Sequence, residues 1–227
     1  MKGYIIIDEN ILEKHIRFLR IKPTDIKITL KNILDSLMNL SWLSCFDKEF
    51  LKSSYEERAK QTINYIEKNI ITKSASAVSS SSGEYIVSEL ARLSVIEKYS
   101  YLDIPLAELF KKKVIGNHGF DFYTSNTAEH ILFGEAKYIK SQSAYGSALK
   151  QVNKFFGLKQ HITDIADIQN FFSDKSFEKC HKNEIGFMIA FSTSDLETHT
   201  LLANIKKNAD FKKMKVFKEI ILIAVDI

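Results

Sequence analysis

The chain has 227 residues, 45% of them hydrophobic and 26% charged, with a formal net charge of +4 and a pI near 8.8. This is enough apolar material to bury a sizeable core and too much for a disordered chain, and the mild positive excess suits a polyanionic partner. Two cysteines, Cys45 and Cys180, with no CxxC spacing, exclude a disulfide framework and point to a reducing cytoplasm. No run approaches the ~20 apolar residues of a membrane span, and residues 1–7 are too short for a signal peptide, so a cytoplasmic protein with no membrane partner is expected.

Tyr4 to Ile7 is a short apolar run, and Asp8-Glu9-Asn10 can turn the chain or cap the next element. Beyond Pro23, Ile26, Leu30, Ile33, Leu34, Leu37 and Met38 recur at helical spacing, which predicts an amphipathic helix from Asp25. A second helix is predicted from Ser54. There Ser54 and Glu57 have the spacing of a capping box, and Ala59, Ile63, Ile66 and Ile70 make a buried stripe. Residues 1–73 thus read as an N-terminal helical layer, 74–82 as a Ser-rich loop, and 83–227 as an α/β core.

The core opens with a helix from Gly83 to about Tyr99. Val87, Ala91 and Val95 fall near the line of Glu84, so Glu84 borders the buried face, whereas Glu89 reads as a solvated partner of Arg92. Ser81 and Glu84 also have capping-box spacing, which leaves Glu84 two readings, helix cap or site residue. Pro105 suits the first turn of a short helix through Phe110, and Lys111-Lys112-Lys113 follows as a run able to grip phosphate.

Next comes GFDFYTSNTAEHILFGEAKY, residues 119–138, the stretch that carries chemistry. Phe120 and Phe122 flank Asp121, and Thr124 to Thr127 reads as the turn of an antiparallel strand pair. Glu135 and Lys137 close the second strand and share one face by alternation. Two carboxylates can hold a hard divalent cation such as Mg2+ (or Mn2+) through oxygen. A lysine beside them can orient a water or neutralise charge on phosphorus, which is what phosphodiester hydrolysis needs. The short string alone is not specific, since Asp25-Ile26-Lys27 and Asp210-Phe211-Lys212 share it. Only Glu135 follows an apolar run and has an upstream aspartate in another.

A helix from Ser141 or Ser143 to about Phe156 is expected to bury Ala148, Val152 and Phe155, with Lys150 and Lys154 on another stripe and Gln151 adjacent. A short helix follows over Thr163 to Phe172. Ile185 to Phe191 and Glu219 to Val225 read as fully buried strands separated by a helix through Leu201, Leu202 and Ile205. The Cys180-His181 pair has no second pair to make a zinc site. The order fits a mixed central sheet flanked by helices.

With Gly119-Phe120-Asp121 and Glu135-Ala136-Lys137 in place, the chain resembles the PD-(D/E)xK nuclease superfamily, although the proline before the aspartate is absent. More narrowly, Gly83-Glu84, His118-Gly119-Phe120-Asp121 and Phe133 to Lys137 look like the HamA nuclease subunits of the bacterial Hachiman anti-phage system. The resemblance covers roughly residue 83 to the end. It implies a restriction-endonuclease-like core and metal-dependent cleavage of DNA. It also implies Asp121, Glu135, Lys137 and Glu84 as catalytic residues, with Asp121 and Glu135 as metal ligands, Glu84 as a supporting ligand or base, Lys137 positioning the water, and a helicase partner. Lys111, Lys112, Lys113, Lys150, Gln151 and Lys154 are expected on the nucleic acid. The alternative is a subunit of the same fold that binds nucleic acid or a partner without cutting.

Overall fold

A computed structural model describes residues 3–71, 80–111, 119–140, 142–194 and 196–227. Its strands are β1 (Tyr4–Glu13), β2 (Ile16–Pro23), β3 (Phe122–Ser125), β4 (Ile131–Lys137), β5 (Gly186–Thr193) and β6 (Glu219–Asp226). They form a six-stranded sheet in the order β1-β2-β6-β5-β4-β3. The four inner strands run parallel, and each edge strand is antiparallel to its neighbour. The mixed α/β class is therefore as expected. β5 is buried along its whole length and β6 up to its last residue, as continuous apolar runs sandwiched between helices require.

The N-terminal segment needs correcting. It is not helical throughout: β1 and β2 form a hairpin, and β2 pairs with β6, so one sheet spans the boundary expected at residue 73. Ile16, Phe18, Leu19 and Ile21 of β2 are fully buried. β-Branched and aromatic side chains favour such a pleated, packed surface. In β1 partly buried and exposed positions alternate after the buried Tyr4, a period of two that the short apolar run at its start obscures.

The predicted helices are largely present, with shifted ends. In α1 (Ile26–Leu37) the Asp25 carboxylate accepts from the Lys27 and Ile28 N–H groups. That arrangement satisfies two donors the first turn leaves open. α2 (Glu49–Ile66) begins before Ser54, so Ser54 and Glu57 lie inside the helix and form no cap; Ala59, Ile63 and Ile66 are buried as expected. The expected Ser-rich loop lies mostly outside the described residues, and the helix after it, α3 (Ser80–Tyr99), starts before Gly83. Short α4 (Ala107–Phe110) follows.

α5 (Tyr145–Gly157) buries Ala148, Leu149, Val152 and Phe155. It has no side-chain cap, because the Ser143 hydroxyl donates to Thr193 instead; Ser141 lies outside the described residues. The helix expected from Thr163 is two single turns, α6 (Gln160–Thr163) and α7 (Ile165–Ile168). α8 (Asp174–His181), α9 (Thr198–Lys207) and α10 (Ala209–Met214) complete the chain. No helix among the described residues is long and apolar enough to cross a membrane.

Candidate active site

The β3–β4 ladder ends with Phe122 opposite Gly134. Just before it, the Asp121 N–H donates to the same Gly134 carbonyl at 2.8 Å, so two successive residues face one. The Asp121 carboxylate then reaches along β4 and accepts from the Ala136 N–H at 2.8 Å, where a regular ladder would supply a backbone carbonyl. This irregularity, more than simple alternation, brings Asp121 beside Glu135. The Ala107 N–H at the start of α4 holds the Asp121 carbonyl at 2.9 Å, fixing the residue from its other side.

Glu135 and Lys137 emerge from the end of β4 together, and the Lys137 ammonium lies 3.0 Å from Glu135 Oε1. On its far side the same ammonium donates to Glu84 Oε1 at 3.2 Å. Glu84 reaches it because Gly83 lets the start of α3 lie against Tyr138: a Cβ on Gly83 would fall 2.2 Å from the Tyr138 ring. Glu84 therefore faces the site, and its carboxylate is engaged with Lys137.

Burial and crowding govern the charges here. Glu135 is 1% exposed in its side chain, and its Oε2 has no hydrogen-bond partner among the described residues. Burial, followed by the Asp121 charge, pushes its carboxyl well above the usual range despite Lys137. Burial likewise pushes Asp121 up to about 7, against the opposing pull of the Ala136 N–H and Lys137; the charges of Glu84 and Glu108 add to the rise. Burial alone would lower the Lys137 ammonium, yet Glu135, Glu84 and Asp121 outweigh it and raise its pKa. Crowded, partly unpartnered carboxylates of this kind are stabilised by a cation.

The expected third ligand does not join them. Among the described residues no group of three His, Cys, Asp or Glu side chains is placed to hold a metal ion. The donor set on offer is the Asp121–Glu135 pair. That pair still fits Mg2+, which is bound through one or two carboxylates with water and phosphate oxygens completing its shell.

The expected phosphate contacts divide. Lys111 is corrected: its ammonium is turned inward, 2.7 Å from Asp164 Oδ1 and 2.9 Å from the Tyr123 hydroxyl. A lysine 14% exposed and ion-paired inside the protein is not available to a phosphate. Lys112, Lys113 and His118 lie outside the described residues. Lys150 and Lys154 are exposed on α5, with Gln151 partly so. Glu89 and Arg92 do pair, at 2.7 Å, but the pair is buried, not solvated.

Glu108, whose charge reaches Asp121, lines a cavity of about 480 Å3 with Arg58, Gln61, Thr62, Tyr65, Tyr85 and Lys111. A second cavity, of about 370 Å3, lies around Trp42 and Arg92. There the guanidinium donates to Glu89, Asp103, Ile104 and Ser36, leaving none of its own N–H groups for an anion. Sequence reasoning missed Glu108 and Asp164. Neither stands in a motif, and the partners of Asp164 at Lys111, Phe120 and Tyr123 are 53, 44 and 41 residues away.

No family model matches the chain, nor does any curated protein or solved structure. The geometry of Asp121, Glu135, Lys137 and Glu84 is what bears on function.

Proposed function

We propose that the chain is a Mg2+- or Mn2+-dependent nuclease of the PD-(D/E)xK type that hydrolyses DNA phosphodiester bonds. Like the HamA subunits it resembles, it serves as the effector of a bacterial anti-phage system, working with a helicase in the cytoplasm. One observation carries the reading: Asp121 is bonded to the amide of Ala136, and the two residues flanking that amide, Glu135 and Lys137, hold each other at 3.0 Å. Two acids and one ammonium thus meet at the end of a rigid strand, where a site is held more accurately than on a loop.

Asp121 and Glu135 are the residues that would hold the cation, and the buried Glu135 Oε2, which has no hydrogen-bond partner among the described residues, is free for it. When bound, the ion polarises a phosphoryl oxygen and lowers the pKa of a coordinated water. Lys137 stands where an ammonium orients the attacking water and offsets charge growing on phosphorus, and Glu84 steadies it from behind. Lys150, Gln151 and Lys154 contact the backbone. A net charge of +4 supports few phosphate contacts, so the lone chain binds DNA weakly and salt-dependently, which is why a partner is needed.

The test is cleavage of supercoiled plasmid by the purified chain, with Mg2+ or with chelator. Cutting is expected only with metal. Lys137→Ala is expected to reduce it by roughly 100-fold or more, on the scale of losing one electrostatic group in an active site, with circular dichroism and DNA affinity nearly unchanged. Equal cutting by variant and wild type rejects the assignment and favours a non-cleaving binding subunit.

A further inference from the structure

We propose that Asp164 is a positioning residue that sets Asp121 in place, an inference that rests on the metal-site reading above. Asp164 lies between α6 and α7 and is 2% exposed. Its Oδ1 accepts from Lys111 Nζ at 2.7 Å and Gln160 Nε2 at 3.0 Å. Its Oδ2 accepts from the Tyr123 hydroxyl at 2.7 Å and the Phe120 N–H at 3.1 Å. The Tyr123 hydroxyl also lies 3.1 Å from the Phe120 carbonyl oxygen. The N–H of the residue preceding Asp121 is therefore tied directly to the buried Asp164 carboxylate, and its carbonyl lies against the hydroxyl of the same cluster.

The rest of the local geometry depends on this tie. Asp121 is held by backbone alone at its own N–H and C=O, through Gly134 and Ala107. One carboxylate oxygen is already committed to the Ala136 N–H. The direction of the carboxylate then follows from where the chain enters residue 121, and Asp164 fixes that entry through Phe120. Gly119 fits the same logic. A Cβ there would lie 1.9 Å from Lys111 Nζ and 2.8 Å from Asp164 Oδ1, so a larger residue would press on the ion pair that receives the Phe120 N–H. Lys111 sets its ammonium 2.7 Å from Asp164 Oδ1, so the buried carboxylate has an ion-pair partner.

Asp164→Asn keeps the shape but puts an amide nitrogen, a donor, where one acceptor oxygen was. Mg2+ affinity of the full chain, by titration calorimetry, is expected to fall by about 10-fold, as when a group supporting a metal ligand is lost. The amide resonances of Phe120 and Asp121 should shift even without metal, and kcat should drop more than KM. Tyr123→Phe, which keeps the ring, guards against a variant that fails to fold, and should weaken Mg2+ about 3-fold by removing the hydroxyl that links Lys111 to Asp164. Asn208→Ala removes the cap of α10 and serves as a destabilised control that retains wild-type Mg2+ affinity. Unchanged affinity in both Asp164→Asn and Tyr123→Phe, alongside its loss in Asp121→Asn, overturns the positioning role and leaves the metal site standing. Unchanged affinity in Asp121→Asn overturns the metal site itself, and the role with it.

Discussion

Asp121 and Glu135 keep two carboxyl groups in a buried setting: burial raises both, and the Asp121 charge adds to the cost of ionising Glu135. The pH dependence of stability follows from the direction of the shifts. Asp121 rises from 3.8 in the unfolded chain to about 7 in the fold, so the folded state holds the proton more tightly. Its contribution to stability is fully present below the unfolded value and is lost as pH rises through about 7. Glu135 shifts in the same direction. The melting temperature of the metal-free protein should therefore fall from mildly acid to mildly alkaline pH, Mg2+ should restore it, and Asp121→Asn should flatten the slope. A flat profile for metal-free wild type would contradict the electrostatic account. Glu84 calls for a different experiment, because its side chain is 50% exposed and its pair with Lys137 contributes little to stability. Glu84→Gln should leave stability within about 0.5 kcal/mol and Mg2+ affinity unchanged, yet slow cleavage by roughly 10-fold as Lys137 loses its second anchor. A large loss of Mg2+ affinity would instead return Glu84 to the ligand set.

The start of α3 decides where Glu84 sits, and Gly83 decides how closely that start approaches Tyr138. In Gly83→Ala the new Cβ meets the root of the ring, Cγ at 2.2 Å, which cannot swing away as the end of a long side chain can. Glycine to alanine gains about 1 kcal/mol of helix propensity, while overpacking of this kind costs about 1–3 kcal/mol. The net cost is then about 0–2 kcal/mol, so melting should fall by no more than about 8 °C. Cleavage should fall much further, because α3 must back away and take Glu84 with it. Wild-type activity in this variant would show that the close approach does not matter. Elements like these also mark how far the sequence could be read. α1, α5, α9, β5 and β6 were legible because each buries one face or one continuous run, a property of the local string. So was the pairing of Glu135 with Lys137, set by alternation within one strand, whereas the approach of Asp121 depends on the irregular pairing just before β3. The inward turn of Lys111 and the cluster around Asp164 were not legible. Their partners are distant in sequence, and a lysine run looks the same whether it faces water or a buried carboxylate. The β1–β2 hairpin was missed for a related reason: its reward comes from pairing with β6, some two hundred residues away in the register Ile16 with Ile220.

The continuity of the sheet changes what can be asked of the N-terminal segment. Had residues 1–73 been a separate helical layer, deleting them would have left the expected core, residues 83–227, able to fold without them. Instead β2 lies between β1 and β6, and Ile16, Phe18, Leu19 and Ile21 of that strand have no exposed surface. Arg20 further binds Asp226 at 2.9 Å and the Leu196 carbonyl at 2.7 Å, tying the strand to both sides of the C-terminal half. Each buried apolar side chain is worth about 1.5–3 kcal/mol, so four of them amount to roughly 6–12 kcal/mol, as much as the whole stability of an ordinary domain. Removal of residues 1–73 would also expose the paired edge of β6, an apolar strand open to aggregation. The truncated chain is expected to be insoluble or unfolded by circular dichroism, and its loss of helicase binding would carry no information about docking. Point changes at exposed apolar positions of the same segment avoid this. Phe50 is 69% exposed on α2 and Ile11 is 74% exposed on β1, so Phe50→Asp and Ile11→Lys should alter the melting temperature little. If the N-terminal segment receives the helicase, at least one of them should weaken co-purification of the two proteins while cleavage by the lone chain stays as it was. A truncated protein that folds cooperatively and still cuts DNA would refute the single-sheet argument, and full helicase binding by both point variants would move the docking surface elsewhere.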